Sequence, residues 1–99
     1  MILRIFRAQI NPGKMIEFLK LVKEQSIPGL QKQKGLIGFY PGAPFSEGDT
    51  EFVMITIWKD IDSLKAFIGE DWEKPILTPD EVPLVSKMSA EHYEYFEDK

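Results

Sequence analysis

The 99 residues contain a single histidine, His92 in the run AEHYEYF, and no other side chain has an ordinary pKa suited to proton transfer near neutrality. Turned into a pocket, His92 would act as a base toward an acidic oxygen. Turned elsewhere, it is a structural histidine bonded across a sheet or a subunit interface. Arg4 shares a strand face with Phe6, and a guanidinium among apolar neighbours suits a substrate oxyanion or carboxylate. Its competing partner is a carboxylate of the chain itself, Glu91 or Glu94. Tyr40, Trp72, Phe39 and Phe67 are candidates for the walls of a flat aromatic pocket, with Trp72 as its lid, although aromatics at such spacing also serve as plain core.

Composition removes many other chemistries. Without cysteine, the chain has no disulfide, thiolate zinc site or Cys nucleophile, and one histidine cannot build a multi-His centre, so no metal is expected. Twelve basic residues against 16 acidic ones leave a net charge of −4, which attracts neither nucleic acid nor an anionic membrane. Lys14, Lys20, Lys23, Lys32 and Lys34 form a basic rim that reads as a solvated face. No apolar run approaches the ~18 residues of a membrane span, and the chain begins in an alternating segment rather than a leader; a cytoplasmic protein is expected. With no repeat or linker, residues 1–99 read as one domain.

The elements that must position these residues are legible from periodicity. Ile2 to Ile10 reads as a strand stopped by Asn11-Pro12-Gly13. Met15, Phe18, Leu19 and Val22 then follow the amphipathic-helix template. Pro28 predicts a kink, or a restart capped by Ser26, and Gly35 ends the helix. Leu36 to Tyr40 is a short strand, Pro41 to Asp49 a long hairpin loop, and Phe52 to Trp58 the strongest strand signal in the chain. Asp60 or Asp62 can cap a short helix carrying Leu64, Phe67 and Ile68, with Gly69 at its end. Pro75, Pro79 and Pro83 make residues 71–87 an irregular segment wrapped over the surface, long enough to be functional. Met88 to Phe96 closes the fold as a strand with Tyr93 and Tyr95 on one face, and residues 97–99 as a frayed tail.

The order β-α-β-β-α-β predicts an α+β, ferredoxin-like fold: a four-stranded antiparallel sheet with two main helices on one face. Both faces of the Ile2 to Ile10 and Phe52 to Trp58 strands are apolar, however, and two helices cover only one. A second copy packed sheet on sheet is the simplest cover, which predicts a homodimer through the sheet face. RNA-recognition modules share the element order, but TEFVMITIW lacks their basic-Gly-aromatic-Gly opening.

With this topology, the segments RIFRAQINPGKMIEFLKLV, PGLQKQKGLIGFY and VMITIWKDIDSLKAFI resemble the antibiotic biosynthesis monooxygenase family of small dimeric α/β barrels. The matching features are Pro12-Gly13 before the first helix, Gly35 before the second strand, and Trp58 followed by an acidic helix start at Asp60. The resemblance implies one of several activities: cofactor-free oxygenation of phenols and anthrones, quinol-directed chemistry or haem degradation. In the haem-degrading branch an Asn, a Trp and a His are required where this chain has Phe6, Phe67 and roughly Leu77, so haem degradation is not expected. In the family Trp58 would pack near the cleft between sheet and helices, which makes it a catalytic candidate beside His92; otherwise it is core, with its indole N–H on a backbone acceptor.

The expected activity is therefore a cofactor-independent monooxygenase acting on a small aromatic (phenol, anthrone or quinol-like) substrate. His92 would be its base, and Phe6, Phe67 and Trp58 its apolar walls. The alternative is a non-catalytic small-molecule-binding or stress-associated homodimer of the same fold.

Overall fold

A computed structural model describes residues 1–97; Asp98 and Lys99, expected to belong to the frayed tail, lie outside the described residues. Strand β1 (Ile2–Ile10) runs through the middle of a four-stranded sheet. On one side it pairs antiparallel with β3 (Glu51–Trp58), on the other with β4 (Val85–Glu94), and β2 (Leu36–Gly42) forms the edge beyond β3. The order β2-β3-β1-β4 is the expected ferredoxin-like arrangement.

Alternation along the strands divides the sheet into two faces. Phe6, Ala8, Ile10, Phe52, Met54 and Trp58 point toward the helices and join Phe18, Val22, Leu30, Leu64 and Leu84 in the core. Leu3, Ile5, Val53 and Ile55 point the other way and are half-buried in the single chain. The apolar second face is therefore real and bears no helix among the described residues.

The first helix does not break at Pro28. Helix α1 (Met15–Leu21) passes through a π-helical turn (Val22–Ser26) into α2 (Ile27–Gln31), with Pro28 in the first turn of α2. Proline has no N–H for an i→i−4 bond and crowds the carbonyl four residues back; the π turn, in which the Ile27 N–H bonds five residues back to Val22, widens the backbone just before Pro28 and eases that crowding. It has a second effect. Phe18, Val22, Ser26 and Leu30 recur every four residues, a spacing that drifts by about 40° per step on an α-helix, and the unwound turn keeps all four facing the sheet. Ser26 is consequently not a cap: it has helical dihedrals, makes no capping bond, and sends its hydroxyl elsewhere.

Asp60 caps α3 (Ile61–Ile68), accepting from the N–H and the hydroxyl of Ser63, and these bonds hold its carboxyl below the usual carboxylate range. Gly69 ends the helix at φ 107, a conformation only glycine adopts without strain. Gly35 is required for a different reason. Its carbonyl accepts from Lys59 N–H at 2.8 Å, and a Cβ at this position would overlap the Cβ and Oγ of Ser63.

Two strand limits differ from expectation. Strand β2 continues through Pro41 to Gly42, tolerable because an edge strand need not donate on its outer side. Strand β4 begins at Val85 rather than Met88, picking up Ile10 across a register shift, and stops at Glu94, so Tyr95 does not share a strand face with Tyr93. The segment between α3 and β4 is irregular as expected, with one 3-10 turn (Val82–Leu84), and it folds over the helix-bearing face of the sheet.

A cavity between sheet and helices

The layer between the sheet and the helices is incompletely filled. A cavity of about 250 Å³ lies there, with Arg4, Phe6, Phe52, Met54, Thr56 and Trp58 of the sheet as its floor. Phe18, Val22, Ser26 and Leu30 of the first helix form one wall; Phe67 and Ile68 of α3, with Ile76, Leu77, Thr78 and Glu81 of the following segment, form the rest. It is an apolar chamber with a few polar groups, the usual composition of a small-molecule site. Phe6, Phe67 and Leu77, the positions counted from the haem-degrading branch, all border it and are all apolar here.

Arg4 is the unusual member. Only 4 % of its surface is exposed, and burial pulls the pKa of its guanidinium down to about 10, still cationic at neutral pH. It pairs in register with Thr56 on β3 and His92 on β4, which puts all three on the helix-bearing face. Its Nη1 donates to the carbonyl of Trp72 at 2.6 Å and lies 2.7 Å from Nε2 of His92; Nη2 donates to the carbonyl of Lys74 at 2.7 Å. Neither Glu91 nor Glu94 pairs with it. Glu91 is taken by Arg7, on the opposite face. Among the described residues, then, the Arg4 charge is buried against neutral acceptors without a counter-charge. Isolated buried cations are costly, and their presence in a cavity wall marks a candidate site.

His92 stands behind Arg4 and does not border the cavity. Because a guanidinium can only donate, Nε2 must accept, which fixes the neutral imidazole with its proton on Nδ1. The pKa of His92 is accordingly lowered, by burial first and by the Arg4 charge second, with Glu73 opposing. Trp72 packs its ring edge-on against His92 at 5.1 Å while its carbonyl receives Arg4. It therefore braces the Arg4–His92 pair and is not the lid of the cavity. Residues 76–78 and 81 of the same segment fill that place.

Trp58 and Phe67 do border the cavity, stacked at 5.4 Å with 27° between their planes. The indole N–H of Trp58 donates to Thr56 Oγ1 at 2.8 Å, a side-chain acceptor rather than a backbone one. Phe6 lies on the floor as expected. Tyr40 does not join them: it pairs with Ile55 on the helix-free face and folds its exposed ring over Gly38, while its neighbour Phe39 packs inward against the core. Adjacent strand residues point to opposite faces, so both could not have entered one chamber.

Sequence reasoning missed the polar groups Ser26, Thr56, Thr78 and Glu81. Ser26 was signalled by the four-residue spacing through Phe18, Val22 and Leu30, and Thr78-Pro-Asp-Glu81 has the spacing of a helix capping box. Thr56 sits on an inward strand position between Met54 and Trp58. No comparable signal marked Ile76 or Met54 as cavity walls rather than core, and Leu77 was marked only by the family resemblance.

Comparison with known proteins follows the same lines. The sequence profile of the antibiotic biosynthesis monooxygenase family matches residues 1–71. No curated protein sequence matches the chain. Among solved structures, a candidate antibiotic biosynthesis monooxygenase from Nitrosomonas europaea superposes with a TM-score of 0.76 at 16% identity, covering 98% of this chain and 100% of that one. A variant of SnoaB, a cofactor-independent oxygenase from Streptomyces nogalater, gives 0.70 at 15% identity over 98% and 94% of the two chains. The haem degrader MhuD from Mycobacterium tuberculosis, solved with two haems in its active site, gives 0.72 at 16% identity over 100% and 99%. At these identities the superpositions establish a shared fold.

Proposed function

The chain belongs to the antibiotic biosynthesis monooxygenase family, and from that premise we propose that its cavity binds a small aromatic molecule through an acidic oxygen and oxygenates it without a cofactor. The observation that carries this reading is Arg4: a buried guanidinium with no carboxylate paired to it among the described residues, in the wall of a mostly apolar chamber. In such surroundings a fixed positive charge stabilises an oxyanion far more than it would in water. A phenol held there gives up its proton to solvent more readily, and the electron-rich phenolate itself supplies the electrons: one atom of dioxygen bonds to a ring carbon, and the other leaves as water with the two hydrogens the substrate loses as it is oxidised to a quinone. Phe6, Phe67 and Trp58 exclude water and hold the ring. His92 acts through Arg4, whose orientation it fixes by accepting one N–H. It is a positioning residue in this scheme, and its depressed pKa keeps it neutral so that it can accept.

We propose further that the protein is a homodimer, its helix-free sheet face covered by a second copy. Leu3, Ile5, Val53 and Ile55 make that face apolar, and Arg7 with Glu91 and Glu51 supplies polar pairing within it. We place the protein in the cytoplasm, a reading supported by a family domain in which no helix of the described residues is long and apolar enough to cross a membrane.

A second reading, ligand binding without turnover, draws support from the position of the histidine, whose Nε2 is engaged by Arg4. Both readings are tested by measuring oxygen uptake and ligand affinity with anthrone and 1,4-dihydroxynaphthalene, for the natural chain and for Arg4→Met. Oxygenation predicts uptake that falls about 100-fold in the variant. Affinity that depends on Arg4 without uptake would leave binding alone, whereas affinity indifferent to Arg4 would remove both readings.

A further inference from the structure

The cavity wall holds a second buried charge. Glu81 is 3 % exposed, borders the cavity, and forms no ion pair among the described residues. Its Oε2 accepts from the Ser26 hydroxyl at 3.1 Å and its Oε1 from the Thr78 N–H at 2.9 Å. A carboxylate offers about four lone-pair positions, so these two bonds leave acceptor capacity in hand.

Thr78 is incomplete in a complementary way. Glu81 reaches back to the Thr78 N–H as in a capping box, but the Thr78 hydroxyl does not return the bond. Its Oγ1 is buried, has no hydrogen-bond partner among the described residues, and belongs to a residue that borders the cavity. An unmade hydrogen bond at a buried hydroxyl costs free energy, which only a partner that reaches the hydroxyl recovers.

Arg4 on the sheet and Glu81 on the facing segment thus carry opposite charges into one apolar chamber without meeting. A molecule bridging them lies in a preformed field, with an electron-rich oxygen toward Arg4 and an O–H proton toward Glu81. We infer that Ser26, Thr78 and Glu81 form a hydroxyl-recognition subsite, and that the ligand class is an aromatic molecule bearing an anionic or carbonyl oxygen for Arg4 and a separate neutral hydroxyl for Glu81 and Thr78. This rests on the Arg4 reading for one end of the ligand and adds the other.

The test uses the intact protein and matched carboxylates with and without a hydroxyl: benzoate against 4-hydroxybenzoate, 2-naphthoate against 6-hydroxy-2-naphthoate, and biphenyl-4-carboxylate against 4′-hydroxybiphenyl-4-carboxylate. Titration calorimetry should show at least one hydroxylated member binding about tenfold tighter than its parent, the effect of one hydrogen bond to a charged group. Thr78→Val should shrink that ratio toward one by weakening the hydroxylated member more than its parent, and Glu81→Gln should shrink it as well while tightening the parent, because it removes a like charge from the chamber. Arg4→Met should weaken parent and hydroxylated members alike. Glu81→Gln also changes two internal bonds, so Thr78→Val, which removes only an unpartnered hydroxyl, is the cleaner variant; its melting temperature should not fall. Parents that bind through Arg4 with no advantage to any hydroxylated member would overturn the subsite and leave the Arg4 reading intact. Carboxylates indifferent to Arg4→Met would overturn both.

Discussion

Arg4 and Arg7 lie three positions apart on one strand and show what separates the two faces of the sheet. Arg7, on the helix-free face, is half-exposed and paired with Glu91 and Glu51. Arg4, on the helix-bearing face, is buried and meets two carbonyls and an imidazole. The first arrangement is what a surface needs when it is to be covered: charges neutralised in place, with the apolar Leu3, Ile5, Val53 and Ile55 around them. The second leaves a charge held by hydrogen bonds alone, with no ion-pair partner among the described residues, beside a cavity where a bound anion would supply one. Equal apolarity of the two faces thus conceals a difference in how their charges are held, and under the proposed reading one face packs while the other binds.

That contrast can be broken most forcefully in the core. Leu64 is fully buried beneath the helix-bearing face, and Leu64→Ala should cost about 2–5 kcal/mol in urea unfolding, with no dependence on protein concentration beyond that of the natural chain. The counterpart on the other face is Ile55→Lys. If that face is the subunit seam, light scattering at micromolar concentration should find the natural chain dimeric and this variant monomeric, a weakening of about 100-fold or more. A natural chain that is already monomeric would remove the assigned purpose of this face.

Smaller effects sharpen the comparison. In the monomeric Ile55→Lys background, Arg7→Met should change stability by no more than about 1 kcal/mol, because its ion pairs are partly solvated in the single chain, and in the natural chain it should leave carboxylate affinity untouched. Any loss of ligand binding in Arg7→Met would undo the division of labour between the two arginines. The smallest effect concerns pH. The His92 pKa is lowered in the folded protein from an ordinary value near 6.5, so between 6.5 and that depressed value the unfolded chain binds more protons than the folded one. Stability contributed by neutral His92 is therefore complete above 6.5 and declines as pH falls through this window. Unfolding free energies measured between pH 7.5 and 5 should show that decline in the natural chain and a flatter profile in His92→Gln; parallel profiles would separate His92 from Arg4.

Much of the scaffold was readable before any coordinates. The strands at Ile2–Ile10 and Glu51–Trp58, the Asp60 cap and the two-faced apolarity follow from local signals, because alternation, capping and turn chemistry act between residues close in sequence. The π turn was half-legible: Pro28 announced a disturbance, but whether the helix kinks, restarts or widens depends on the sheet against which Phe18, Val22 and Ser26 must lie. The candidate site was legible in part. Arg4, Phe6, Trp58 and Phe67 do meet at one cavity, whereas His92 and Trp72 stand behind it and Tyr40 faces away.

By itself, then, the sequence determined the order of elements, the antiparallel sheet with its helices on one side, the family, and the apolar character of both faces. Only the tertiary structure decided which arginine found a carboxylate, which aromatics reached the chamber, and that Ser26, Thr78 and Glu81 gather at its wall. The reason is physical. Secondary structure is chosen by interactions over a few residues, but the partner of a buried charge is chosen by strand register and by how a long irregular segment folds back, and Arg4 meets Trp72, Lys74 and His92 across separations that no local pattern encodes.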